Sequence, residues 1–208
     1  MFPSIQQYIE KAITHFDEIP AERKELLSKI SQYVAGKIKA SKKAELIYIC
    51  THNSRRSHFG QIWAKTAAAY YGFDNVQTYS GGTEATAFNP NAIRATKKVG
   101  FEISDNGEAT NPKYSVVYDA DIEGILCFSK KYDDITNPSY GFCAVMTCGS
   151  ADSNCPLVLG AEVRVATTYL DPKAFDGTPE QDEKYSERCL QIATETLYAF
   201  SRVKELLS

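Results

Sequence analysis

The residues whose types and spacing could do chemistry lie in one stretch, Cys50-Thr51-His52-Asn53-Ser54-Arg55-Arg56-Ser57. A cysteine is followed by five residues, an arginine and a hydroxyl. Ahead of it, Leu46, Ile47, Tyr48 and Ile49 have the composition of a buried strand. Behind it, Phe59 to Tyr71 reads as a helix. A loop entering a helix N-terminus aims unpaired backbone N–H groups at one spot, where the helix dipole favours negative charge. A thiol at the mouth of such a loop is stabilised as its thiolate by those donors and by a neighbouring guanidinium. The planar arginine fork suits a tetrahedral oxyanion such as phosphate. A thiolate beside a bound oxyanion is a poised nucleophile. Cys50 is therefore the candidate nucleophile and Arg56 the clamp. Thr51, His52, Asn53, Ser54, Arg55 and Ser57 form the candidate oxyanion cradle. A lone cysteine closing an apolar strand is ordinarily a small buried hydrophobe. Two arginines at a helix start argue against that, because the dipole repels cations there unless an anion offsets it.

Two later segments carry further candidates. Phe142 to Thr147 is an apolar strand ending at Cys148, and Gly-Ser-Ala-Asp-Ser-Asn separates it from Cys155-Pro156. A polar loop of this kind is a poor place to bury two thiols, and strand carboxyl ends are where α/β sheets put their functional loops. The spacing is not that of a zinc knuckle and the chain has only three histidines, so no metal site is expected. Glu162 to Thr168 reads as a last strand, followed by Tyr169-Leu170-Asp171-Pro172. Asp171, held before a proline at a strand's carboxyl end, can serve as a general acid, although Asp-Pro is also a common turn dipeptide. Asp176 is the second-choice carboxylate.

The elements that must position these groups follow from periodicity. Ile5, Ile9, Ile13 and Phe16 keep one helical stripe, and Leu26, Leu27, Ile30, Val34 and Ile38 keep another, with a break from Asp17 to Pro20. This helical pair, residues 1–43, is expected to pack on the edge of the main domain, with a partner-binding or dimer role as the alternative. Asn75 to Tyr79 reads as a strand. Pro90 to Val99 reads as a helix capped by Asn89 and closed by Gly100. Strand–helix alternation implies parallel pairing with right-handed crossovers. Lys113 to Tyr118 and Ile122 to Ser129 read as an added β-hairpin, within an insertion of about residues 111–140. Cys127 there, and Cys189 in a long helix from Glu180 to Leu207, read as packing residues.

The chain of 208 residues holds one domain, 44–208, with the N-terminal appendage. A net charge of −3 without a long basic run argues against a nucleic-acid binder. The start, MFPSIQQYIEKAI, lacks a signal pattern, and no apolar run approaches membrane-spanning length. Six cysteines in a chain of this length suit a reducing cytoplasm better than a disulfide framework.

CTHNSRRS resembles the active-site loop of the low-molecular-weight protein tyrosine phosphatases and of the thioredoxin-coupled arsenate reductases built on the same fold. His52 stands where glycine is common in that loop, and Arg55 where cysteine or another residue is common. The stretch from Tyr79 to Ser104, YSGGTEATAFNPNAIRATKKVGFEIS, resembles the second strand and following helix of the arsenate reductases. CGSADSNCP resembles their thiol relay loop, a pair of cysteines that plain tyrosine phosphatases of this fold generally lack. The resemblance runs from Ala44 to the C-terminal helix, apart from the insertion. It implies a flavodoxin-like three-layer α/β sandwich with a small parallel sheet. It also implies that Cys50, Cys148 and Cys155 form a disulfide relay and that Asp171 is the acid. The expected function is arsenate reduction, with no bound cofactor and with NADPH-linked thioredoxin as electron donor and partner. The alternative is a tyrosine phosphatase working through a phosphocysteine, which needs only Cys50, Arg56 and Asp171. A third reading is a non-catalytic oxyanion-binding module.

Overall fold

Helices α1 (Pro3–Ile13) and α2 (Ala21–Lys39) open the chain, with a 3-10 turn at Phe16–Glu18 between them. The computed structural model describes residues 1–154 and 157–208. Pro3 stands in the first turn of α1, where its missing N–H leaves no helical bond unmade. The apolar stripes are spent inside the molecule, with Ile5, Ile9, Leu27, Ile30 and Val34 all buried.

Strand β1 (Ala44–Cys50) leads through the loop into α3 (Arg56–Tyr70), then β2 (Val76–Gly82) and α4 (Pro90–Val99). Asn89 caps α4 as its sequence predicts, its Oδ1 accepting from Asn91 N at 2.9 Å and Ala92 N at 3.3 Å. Gly100 closes the helix with φ +117°, a backbone region that glycine enters without a Cβ penalty.

The expected hairpin is β4 (Tyr114–Val117) and β5 (Ile125–Cys127), shorter than the pattern suggested and paired antiparallel. It is joined by β3 (Glu102–Asp105), giving a separate three-stranded sheet in the order β3-β4-β5. β3 is mostly exposed, so it carries no apolar alternation by which to read it.

The remaining elements are β6 (Phe142–Met146), the short helix α5 (Gly149–Asn154), β7 (Ala161–Ala166) and α6 (Gln181–Leu207). The main sheet is parallel in the order β2-β1-β6-β7. Its register sets Cys50 opposite Gly82 on one side and Ile49 opposite Met146 on the other. β1 is apolar along both faces because both are covered. Leu46 and Tyr48 join the large core with α1, α2, α3, α4 and α6, while Ile47, Ile49 and Cys50 pack with Met146, Cys148 and Ala151 of α5. α6 lies against α1, α2, α3 and α4 and is the spine of that larger core. No helix among the described residues is long and apolar enough to cross a membrane.

Candidate active site

The loop between β1 and α3 is held from outside through its carbonyls. Cys50 O accepts from Thr83 N, Thr51 O from Glu84 N, and Ser54 O from Asn89 N, at 3.2, 2.8 and 2.9 Å. His52 O accepts from Ser129 Oγ at 2.9 Å and Thr86 Oγ1 at 3.1 Å. With the carbonyls engaged this way, the backbone N–H groups of residues 51–57 donate to no protein group among the described residues. Successive free amides at a helix start form an anion-binding concavity. Asn53 has φ +44°, a left-handed conformation that asparagine tolerates better than most residues. The turn thus falls on Asn53, and His52 is not asked for a positive φ.

A directed chain of hydrogen bonds ends on the thiol. Asn53 Oδ1 accepts from Lys130 N at 2.9 Å, which leaves Asn53 Nδ2 to donate to Ser57 Oγ at 2.9 Å. Ser57 Oγ lies 3.1 Å from Cys50 Sγ, and a hydroxyl already accepting from Asn53 can turn its own proton to the sulfur. The side chains of Asn53 and Ser54 are therefore spent on shaping the loop, Ser54 Oγ donating to Ala87 O at 2.7 Å. Their contribution to an anion would come from their amides. The half-exposed His52 ring lies 3.6 Å from Glu84, outside this chain of bonds.

Arg56 is buried and reaches across to the loop after β7. Its NH1 donates to Tyr169 O at 2.8 Å and its NH2 to Asp171 Oδ2 at 2.7 Å. Its Nε is buried with no acceptor among the described residues. An unmade buried N–H of this kind costs about 1–3 kcal/mol unless a ligand takes it. Asp171 also caps the turn at Pro172–Phe175, accepting from Lys173 N at 3.0 Å. Arg55 donates through Nε to Tyr185 OH at 2.9 Å and lies 3.7 Å from Asp176 and 4.0 Å from Asp171. The two arginines at the helix start are thus partly offset by two protein carboxylates. Asp176 serves as a buttress, accepting from Tyr185 OH at 2.8 Å and Asn91 Nδ2 at 3.1 Å.

The second thiol stands beside the first. Cys148 follows β6, the strand next to β1, and parallel neighbours run about 4.8 Å apart. Thr51 Oγ1 lies 3.4 Å from Cys148 Sγ, and Ala151 N donates to that sulfur at 3.3 Å. Cys50 and Cys148 are free, buried and share the smaller core cluster. Cys155 lies outside the described residues. The other thiols are inert packing groups, as their sequence settings suggest. Burial pushes Cys127 and Cys143 up to about 12 and Cys189 to about 11. His58, just inside α3, is fully buried against Phe88, and desolvation drives its pKa down to about 3. It is a neutral core histidine.

Sequence reading missed Tyr185, Ser129 and Lys130. All three reach the loop from segments far away in the chain, and none carries a local pattern that would mark it.

No family model matches the chain. An arsenate reductase of Bacillus subtilis is 32% identical over 143 residues, spanning 69% of this chain and 84% of the relative. The chain belongs to the arsenate reductase family. A second relative in that family, the arsenate reductase of Brevibacillus brevis, is 35% identical over 130 residues, covering 62% of this chain and 78% of its own length. Two solved structures share the fold. A low molecular weight phosphotyrosine phosphatase from Vibrio cholerae overlays with a TM-score of 0.53 at 13% identity, over 78% of this chain and 97% of that one. A low molecular weight protein tyrosine phosphatase from Bacillus subtilis gives 0.51 at 14%, over 77% and 97%. This member of the arsenate reductase family thus has the low-molecular-weight phosphatase fold.

Proposed function

We propose that the chain reduces arsenate to arsenite through a three-thiol relay re-reduced by thioredoxin. The observation that carries this reading is the Cys148 thiol, buried at the end of the strand beside Cys50 and contacted by Thr51 of the anion loop. A phosphatase has no use for it.

Arsenate would sit on the free loop amides and the Arg56 fork. Cys50 thiolate attacks arsenic, forming an S–As bond, and one arsenate oxygen leaves as water with a proton from Asp171. Asp171 is paired with Arg56, and an arriving oxyanion would compete for that guanidinium. Cys148 thiolate then attacks Cys50 Sγ. The S–As bond breaks, its electron pair stays on arsenic, and arsenite leaves as a Cys50–Cys148 disulfide forms. Cys155 attacks Cys148, restoring the Cys50 thiolate and leaving a Cys148–Cys155 disulfide for thioredoxin to reduce, with NADPH as the final electron source. Such a relay belongs in a reducing compartment such as the cytoplasm.

The test is arsenite formation with thioredoxin, thioredoxin reductase and NADPH, with phenyl phosphate hydrolysis in parallel. Wild type should turn over many times, while Cys148→Ser should form no arsenite, Cys155→Ser should stall after about one arsenite per chain, and both should still cleave the ester. Equal ester hydrolysis by all three proteins with no arsenate reduction would instead favour the phosphatase. That second reading is supported by Cys50 Sγ at 3.1 Å from Ser57 Oγ at the start of α3 and by Arg56, from the same helix start, holding Asp171 at 2.7 Å, since a phosphocysteine route needs only Cys50, Arg56 and Asp171.

A further inference from the structure

A second cleft of about 520 Å³ opens between the segment around His15 to Pro20 and the middle of α6. Leu170, the residue before Asp171, closes one end, so this cleft and the candidate active site share a loop. Its apolar surface comes from Ile19, Pro20, Leu170 and Leu190.

Its polar chemistry is dominated by Arg188. This residue lines the cleft yet is only 8% exposed. Its Nε is buried with no partner among the described residues, and its NH2 has Glu187 Oε1 only at 3.9 Å. Each carboxylate around the cleft has a nearer partner than Arg188. Glu195 accepts from Arg23 Nε and from Tyr169 OH, each at 2.8 Å. Glu187 accepts from Lys184 Nζ at 2.9 Å, and Glu18 is paired with His15 Nδ1 at 2.9 Å. Arg188 is left as a largely desolvated guanidinium beside a mainly apolar space, with Glu187, Glu195 and Tyr169 acting on it electrostatically but its Nε unbonded. A guanidinium binds a carboxylate through paired hydrogen bonds, and a partly buried setting strengthens that contact.

We propose that the cleft binds a small organic carboxylate with an apolar body, its carboxylate on Arg188 and its body against Ile19, Pro20 and Leu190. The N-terminal segment supplies one wall of this site, a use for the helical extension that the Cys50 chemistry does not need.

The experiment is calorimetric titration of the full chain with 3-phenylpropionate and, separately, with its neutral amide, with and without saturating inorganic phosphate. The acid should bind in the millimolar range or tighter, about tenfold more strongly than the amide, and phosphate should not displace it. Arg188→Met, checked for an unchanged melting transition, should bind acid and amide alike. Gln191→Trp, which fills the cleft and leaves Arg188 in place, should bind neither. Several results would overturn the proposal: no binding of the acid to wild type, no preference for acid over amide, or a preference that survives Arg188→Met. Binding that survives Gln191→Trp would do the same. Displacement by phosphate would place the acid on the Cys50 loop and also defeat it.

Discussion

Replacing Gly82 by alanine tests whether the anion loop is held in one geometry by close backbone packing. Gly82 ends β2 opposite Cys50, and a Cβ built there lies 2.2 Å from Glu84 O, 2.6 Å from Thr51 O and 2.8 Å from Asn53 N. All three neighbours are backbone atoms, so no side-chain end can swing away. Relief requires a shift on the order of 1 Å, and a misplacement of that size in a catalytic constellation costs about a hundredfold in rate. Overpacking should also cost about 1–3 kcal/mol of stability. Gly36, in the interior of α2, is the internal control, because a Cβ there meets nothing within 4 Å. Gly36→Ala should gain about 0.5–1 kcal/mol through helix propensity and leave activity unchanged. The assays are aryl phosphate hydrolysis and arsenate reduction, each beside a denaturant melt. Activity of Gly82→Ala within about threefold of wild type would show that the loop is not held by this close packing, since a 1 Å shift predicts far more.

Other expected outcomes concern the arginine, the acid and the buried histidine. Arg56→Lys keeps the charge but loses the fork that holds Tyr169 O and Asp171 together, and should lower kcat by about 10²–10³-fold in either assay. Asp171→Asn should slow hydrolysis of phenyl phosphate by about 10²–10⁴-fold and that of 2,4-dinitrophenyl phosphate far less, since only the poor leaving group needs a proton. A similar loss on both esters would mean that Asp171 acts by holding Arg56 alone. His58 stays neutral in the fold down to about pH 3, whereas in the unfolded chain it takes a proton near its ordinary value of 6.5. The unfolded state therefore binds the extra proton between those values, and stability, complete above pH 6.5, falls as the pH drops, by about 1.4 kcal/mol per unit. Denaturant melts of wild type and His58→Phe between pH 6 and 4 should differ in slope by about that amount. Parallel slopes would show that the imidazole is not held neutral.

Much of the site was legible because its signals are local. The strand, the Cys-x5-Arg loop and the helix sit in one short stretch, and Asn89, Pro90 and Gly100 mark the ends of α4 with side-chain and backbone chemistry. What stayed hidden was set by contacts between distant segments. β3 is a strand because β4 lies beside it, since its own residues are mostly exposed. Arg55 could be read as added charge near the pocket, but not as a donor to Tyr185, 130 positions along the chain. The insertion could be read as a hairpin, whereas its downstream segment does more. Gly82 N donates to Lys130 O and Tyr132 N to Gly82 O, both at 2.9 Å, while Ser129 Oγ and Lys130 N bind the loop itself. No periodicity encodes such a brace.

The most direct test of the relay is one turnover of Cys155→Ser with arsenate and no external reductant, followed by thiol mapping with mass spectrometry. The expected result is close to one arsenite per chain and a trapped Cys50–Cys148 disulfide. Arsenite formed without that disulfide, or formed equally by the Cys148→Ser/Cys155→Ser double variant, would contradict it.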